Sequence, residues 1–184
     1  METLNPRSRR DPFGSRINRT HSPLLALGLP WASVMLGSLA PWLPVIAPAP
    51  VLPPLGFVML LAWRLLRPGL FPLWAGLPLG LFDDLYSGQP LGSGILLFSL
   101  TMLAIELLEL RLPWRGFLLD WGVASVLVAL YLAAAALISG AKLTPVQLHV
   151  IVPQLIISIV LFPLVARLVA VLDRLRLKRV RRLG

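Results

Sequence analysis

The sequence predicts an all-α polytopic membrane protein with six transmembrane helices and both termini cytoplasmic. Three observations carry this. The 184 residues are 57% hydrophobic and only 14% charged, with a mean hydropathy of +0.82, outside the range of soluble domains. The apolar residues fall into six segments, and at about 20 residues per bilayer crossing the chain has room for six helices but for no separate soluble domain. With six spans, 16 of the 17 Lys and Arg residues fall on one side and only Lys142 on the other, which is the asymmetry of cytoplasmic loops. An odd number of spans would put the two strongly basic ends on opposite faces.

Residues 1–22 carry Arg7, Arg9, Arg10, Arg16 and Arg19 without apolar periodicity, predicting a disordered cytoplasmic arm that orients the first helix. Ser8-Arg9-Arg10 and Ala47-Pro48-Ala49 mimic an export signal and its cleavage site. The apolar run between them is too long for a signal core, prolines crowd the supposed cleavage site, and five further spans follow. The transmembrane domain, 23–172, is predicted from apolar segments at 23–42, 53–66, 69–86, 93–110, 113–140 and 145–172. The second is short and approached through Pro44, Pro48, Pro50 and Pro53, predicting a half-buried or tilted helix.

In the fifth, Gly122, Ser125, Ala129, Ala133, Ala136 and Gly140 share a stripe about 80° wide at 100° per residue. Small residues at that spacing let helix backbones approach closely in lipid, so the stripe is a predicted helix-packing face, within the monomer or against a partner. Gly28, Ala32, Ser33 and Gly37 form a shorter counterpart in the first helix. The sixth opens on Thr144-Pro145-Val146-Gln147, where Thr can cap, Pro suits the first helical position and Gln completes a capping box. Pro153 and Pro163 predict kinks, and residues 173–184 form a basic amphipathic cytoplasmic tail. The net charge of +9 therefore reads as topology and attraction to anionic membrane lipids, with no nucleic-acid partner.

Chemistry is sparse. The chain has no cysteine and two histidines, which removes disulfides and thiolate sites, and no catalytic, cofactor-binding or metal-ligating residue is predicted. Ser93 and His149 fall on one predicted face, and a serine activated by histidine is sound chemistry for an intramembrane protease. Leu91, however, stands where the rhomboid G-x-S-G motif needs its first glycine, and both residues sit near the surface. Glu106 and Glu109 have Arg111 or Arg115 as candidate ion-pair partners. Asp120, well inside the fifth segment, should face the bundle or a wet cavity, with Arg64 or Arg167 within reach.

The stretch GLFDDLYSGQPLGSG, residues 80–94, carries the densest signal. Asp83 and Asp84 close the third helix on its outward end, where the helix dipole disfavours a carboxylate by about 0.3–1 kcal/mol. A compensating group is therefore expected, either Lys142, His149 or a partner protein. Gly88 and Gly92 suit positive φ and Pro90 a fixed one, so Ser87 to Gly92 reads as a tight turn.

Gly80, Asp84, Gly88, Leu91 and Gly92 fit G-x-x-x-D-L-x-x-G-x-x-L-G, and on that motif the chain resembles the rod shape-determining protein MreD family. Asp84 falls on the family position and Asp83 is an extra acid beside it. The resemblance implies a six-helix bacterial inner-membrane protein, non-enzymatic, acting by protein contacts in the cell-elongation and peptidoglycan-synthesis machinery. MreC is the implied partner through its periplasmic region, with MreB, RodA and a penicillin-binding transpeptidase in the same assembly. The alternative is a small-solute-binding subunit of an energy-coupling-factor type transporter. That class calls for an outward polar pocket and an Ala-x-x-x-Ala type docking site on helix 1, where this chain has Gly28 and Ala32.

Overall fold

The computed structural model describes residues 19–21, 23–42, 52–111, 116–140, 145–177 and 179–181. Expectations placed on residues 1–18, on Pro44, Pro48 and Pro50, on Pro113 and Arg115, on Lys142 and Thr144, and on the His149 side chain lie outside the described residues. The described residues form six α-helices: α1 Pro23–Ser38, α2 Leu55–Leu66, α3 Gly76–Ser87, α4 Ser93–Arg111, α5 Phe117–Ile138 and α6 Pro145–Arg176. Short 3-10 turns at Ala40–Trp42 and Leu73–Ala75 follow α1 and precede α3. Two three-residue strands, β1 Arg19–His21 and β2 Arg179–Arg181, pair antiparallel with Arg19 opposite Arg181, so the segments near the two chain ends lie together.

Three helices are long and apolar enough to cross a membrane, namely α4, α5 and the Ile151–Arg176 portion of α6. Ala26–Ser38 and Leu55–Leu66 are shorter apolar helices. Leucines and isoleucines stand exposed along the outside, among them Leu96, Leu100, Leu103, Leu130, Ile156 and Leu164. Apolar surface on this scale suits lipid and not water, as befits a membrane protein.

The second helix lies inside the bundle. From Gly56 to Leu65 every residue of α2 except Met59 is buried, enclosed chiefly by α1 and α6 with α5 and α4 completing the wall. Its 12 residues rise about 18 Å, less than the ~30 Å hydrocarbon core. A helix surrounded by protein need not reach both interfaces, and hydropathy does not distinguish protein neighbours from lipid. Its N-terminal approach, residues 52–54, is non-helical backbone, tolerated at depth only where protein or a cavity receives it. Gln154 does so in part, its Nε2 donating to Leu52 O at 2.7 Å.

The third helix starts at Gly76, later than the apolar segment suggests. Pro68 and Pro72 disfavour helix in the residues before them, and Gly69 turns the chain at φ 77°. The fifth ends at Ile138, with Gly140 beyond it at φ 76°. The sixth runs unbroken through Pro153 and Pro163 and reaches Arg176.

Two helix prolines leave carbonyls without their usual N–H, and the fold supplies substitutes. Pro163 cannot donate to Ile159 O, which instead accepts from Trp121 Nε1 of α5 at 2.9 Å. Pro30 cannot donate to Ala26 O, which accepts from Arg176 Nη1 at 3.2 Å.

Candidate functional site

The helical hairpin α3–α4 is built on glycine. Gly76, Gly80 and Asp84 recur every fourth residue, so all three face α4, the partner against which α3 packs most extensively. A Cβ on Gly76 would lie 2.8 Å from Ser99 Cα, and one on Gly80 would collide with the backbone of Gly94. Gly94 is constrained in turn, since its Cβ would lie 2.7 Å from both Gly80 O and Asp84 Oδ1. The helices thus cross with backbones in contact, and the carboxylate arrives where α4 begins.

Asp84 is 4% exposed and caps that helix. Its Oδ2 accepts from Gly92 N–H at 2.8 Å and Ile95 N–H at 3.3 Å. Its Oδ1 accepts from Gly94 N–H at 2.6 Å and lies 3.2 Å from Ser93 Oγ. The first N–H groups of a helix lack intrahelical partners and carry its positive dipole end, so one carboxylate satisfies several of them at once.

For Asp84 the compensation at the end of α3 therefore comes from the start of α4. Gly92 takes φ 98° to aim its N–H at Asp84, and Gly88 caps α3 at φ 71°. Leu91 points outward at 75% exposure. Ser93, 3% exposed, donates most closely to Pro90 O at 2.7 Å, so its hydroxyl is part of the turn. Among the motif positions, Gly80, Asp84 and Gly92 meet in one clamp, Gly88 ends α3 and Leu91 stands apart; Gly94, which the motif pattern does not include, belongs to the clamp. The signal for it was the Gly92-Ser93-Gly94 run.

Asp83, displaced by about 100° around α3, faces the bundle interior at 6% exposure. Tyr131 Oη of α5 donates to its Oδ2 at 3.4 Å. The Tyr131 ring stacks on Phe57 with centroids 4.1 Å apart, and Phe98 meets Phe57 edge-on at 5.5 Å. A cavity of about 220 Å³ opens beside Asp83, between the ends of α1 and α3 and the starts of α2 and α6.

The opposite end of the bundle is tied by ion pairs. Arg64, 1% exposed at the C-terminal end of α2, pairs with Glu106 and lies 3.5 Å from Glu109. The sequence pointed to Arg111 or Arg115 for these acids; among the described residues the interior position of α2 brings Arg64 to both. Arg64 is thereby committed to α4, and Asp120 lies in the first turn of α5, close to its favourable N-terminal dipole end, since the helix begins at Phe117. Asp173 of α6, 3% exposed, accepts from Arg67 Nε at 2.8 Å and from Arg176 Nε at 2.6 Å, and the Arg176 guanidinium lies 5.7 Å from the Trp63 ring.

The α5 stripe lies beside the buried face of its helix and not on it. Ala124, Leu127, Val128, Tyr131, Leu132 and Ala135 form that face. Ser125, Ala129, Ala133 and Ala136 are half-buried, and Gly122 and Gly140 have open space where a Cβ would stand.

No match was found among curated proteins or among solved structures. A family model does match, that of the rod shape-determining protein MreD, over residues 24–174, from α1 to the Asp173 ion pair. With most of its length under that model and the glycine-aspartate clamp in place, the chain belongs to the rod shape-determining protein MreD family.

Proposed function

We propose that this member of a cell-shape family is a non-enzymatic component of the bacterial inner membrane, multi-pass with both ends cytoplasmic, that acts in elongation by holding other proteins. The observation that carries the reading is the family match over 24–174. The local geometry fits a scaffold: the acid of the motif is consumed in capping α4, which favours a stiff hairpin over a reactive centre. MreC is the partner we favour, with MreB, RodA and a penicillin-binding transpeptidase in the same assembly. The surfaces offered for contact are the hairpin tip with exposed Leu91 and the α5 stripe, Gly122, Ser125, Ala129, Ala133, Ala136 and Gly140.

Depletion in the native host followed by microscopy tests this. Rounded, swollen cells are expected, rescued by the wild-type chain and not by Ala133→Phe, whose bulk would block close helix approach. Rod-shaped depleted cells would refute the proposal.

A solute-binding role draws on one observation, the cavity beside Asp83. At about 220 Å³ it falls below the roughly 300–1,000 Å³ of pockets that enclose whole drug-sized molecules, so it suits a small group and not a vitamin-sized solute. A vitamin-sized compound copurifying in stoichiometric amount would favour the transporter-subunit alternative.

A further inference from the structure

The cavity beside Asp83 has a mixed wall, in which six polar side chains stand among Gly, Pro and Leu residues. Ser38 of α1, Asp83 and Ser87 of α3, Gln89 of the turn, Tyr131 of α5 and Gln154 of α6 all line it. Non-helical residues 52–54 complete the wall, which is the setting in which irregular backbone is tolerated at membrane depth.

The hydrogen-bonding capacity of these groups is unbalanced. Tyr131 directs its hydroxyl proton to Asp83, and the Gln154 amide nitrogen is engaged by Leu52 O. What remains is the Asp83 carboxylate and the Gln154 carbonyl as acceptors, two hydroxyls that donate as well as accept, and the Gln89 amide nitrogen as a donor. Ser87 Oγ is buried without a hydrogen-bond partner among the described residues, whereas Ser38, 2% exposed, has the Asp83 carboxylate beside its hydroxyl. Buried polar groups are ordinarily satisfied, so an unpaired hydroxyl aimed into a cavity points to an occupant.

Charge narrows the occupant further. Among the described residues no Arg, Lys or His pairs with Asp83, whereas Asp173 and Glu106 each have an arginine. The neighbouring Asp84 is already satisfied by α4. A buried carboxylate either takes up a proton or is paired with a cation, and a cationic occupant brings both the charge and the N–H donors that water filling the cavity would not.

We propose that this cavity is a binding site for a primary ammonium group. Three N–H donors match a carboxylate with surrounding hydroxyl and carbonyl oxygens, and the volume admits an ammonium head with a short stem. The cavity lies at the end of the bundle away from the arginine ion pairs, so the group enters from the side opposite the basic chain ends. An ethanolamine phospholipid headgroup and a free small amine present the same chemistry. The proposal is independent of which protein partners the chain holds.

The test uses the purified full-length chain. In detergent, free of lipid, it is titrated with ethanolamine or choline while thermal unfolding is followed; in parallel it is placed in nanodiscs of phosphatidylglycerol with or without phosphatidylethanolamine. Ethanolamine should raise the unfolding midpoint, as any ligand of the folded state does, and choline, with no N–H to donate, should not.

Asp83→Asn should weaken the response about tenfold or more, as expected for loss of a charged hydrogen-bond acceptor. Ser87→Ala, which removes a hydroxyl the fold leaves unpaired, should fold normally and weaken it severalfold, deciding the matter if Asp83→Asn is not stable. Stabilisation only in phosphatidylethanolamine nanodiscs assigns the site to a headgroup, and stabilisation by the free amine assigns it to a solute. No response to either source, an equal response to choline, or indifference to both substitutions overturns the proposal. So does a response that emerges only in Lys142→Ala, since the chain's own ammonium would then be the occupant.

Discussion

Adjacent residues on a helix point about 100° apart, and at positions 83 and 84 that angle sends two carboxylates into different surroundings. Asp84 meets the N–H groups of Gly92, Gly94 and Ile95; Asp83 meets Tyr131 and a cavity. The cap predicts a specific weakness. In Asp84→Asn the amide keeps one acceptor oxygen and turns an NH₂ toward N–H groups that need an acceptor, so at least one is left unsatisfied. A loss of about 1–3 kcal/mol in detergent is expected by thermal unfolding.

Gly94→Ala should cost a similar amount by overpacking, because its Cβ would lie 2.7 Å from Gly80 O and Asp84 Oδ1. Both act on the same clamp, so the double variant should lose less than the sum of the two. Full additivity would show that the glycine and the acid work separately. The turn was legible in the residues: Gly88 and Gly92 both take the positive φ their positions suggested. The partner of Asp84 was not, because a sequence names the donors a side chain provides and is silent about backbone N–H groups brought up by the next helix.

At the scale of elements, hydropathy located the helices and missed their neighbours. Residues 93–110 and α4 nearly coincide, since a long apolar segment between a glycine turn and basic residues has few other solutions. The place of α2 at the centre was hidden, because a protein-enclosed helix and a lipid-facing one are equally apolar when one has no polar face. The prolines show the same limit. Pro163 announces a missing N–H, and only the fold reveals that Trp121 replaces it.

That pairing is testable by a thermodynamic cycle. Trp121→Phe should destabilise by about 0.5–1.5 kcal/mol beyond its change in packing, through the lost bond to Ile159 O. In a Pro163→Ala background the alanine N–H can serve the same carbonyl, and the cost of Trp121→Phe should fall. An equal cost in both backgrounds would place the role of Trp121 in packing alone.

At the scale of the whole molecule, Arg64, Arg67 and Arg176 gather at one end of the bundle. The C-terminal ends of α2, α4 and α6 and the start of α1 meet in the Arg64, Arg67 and Arg176 interactions, and β1 pairs with β2 close by. The Asp83 cavity and the α3–α4 turn occupy the opposite end. In a bilayer the arginine-rich end is expected to face the cytoplasm, and an even number of crossings is the arrangement that returns both chain ends to one side.

Reporter fusions after Gly184 and within residues 1–18 should therefore report cytoplasm, while insertions at Gln89 should report the outer side. The short α2 sharpens the test, because at about 18 Å it is the helix least able to cross unaided. If it turned back without crossing, the helices after it would invert, and Gln89 and Gly184 would exchange sides while the arm stayed cytoplasmic. An external report from Gly184 with a cytoplasmic one from Gln89 would identify that five-crossing topology. Internal Gly184 with external Gln89 requires α2 and its approach to carry the chain across inside a sheath of neighbouring helices.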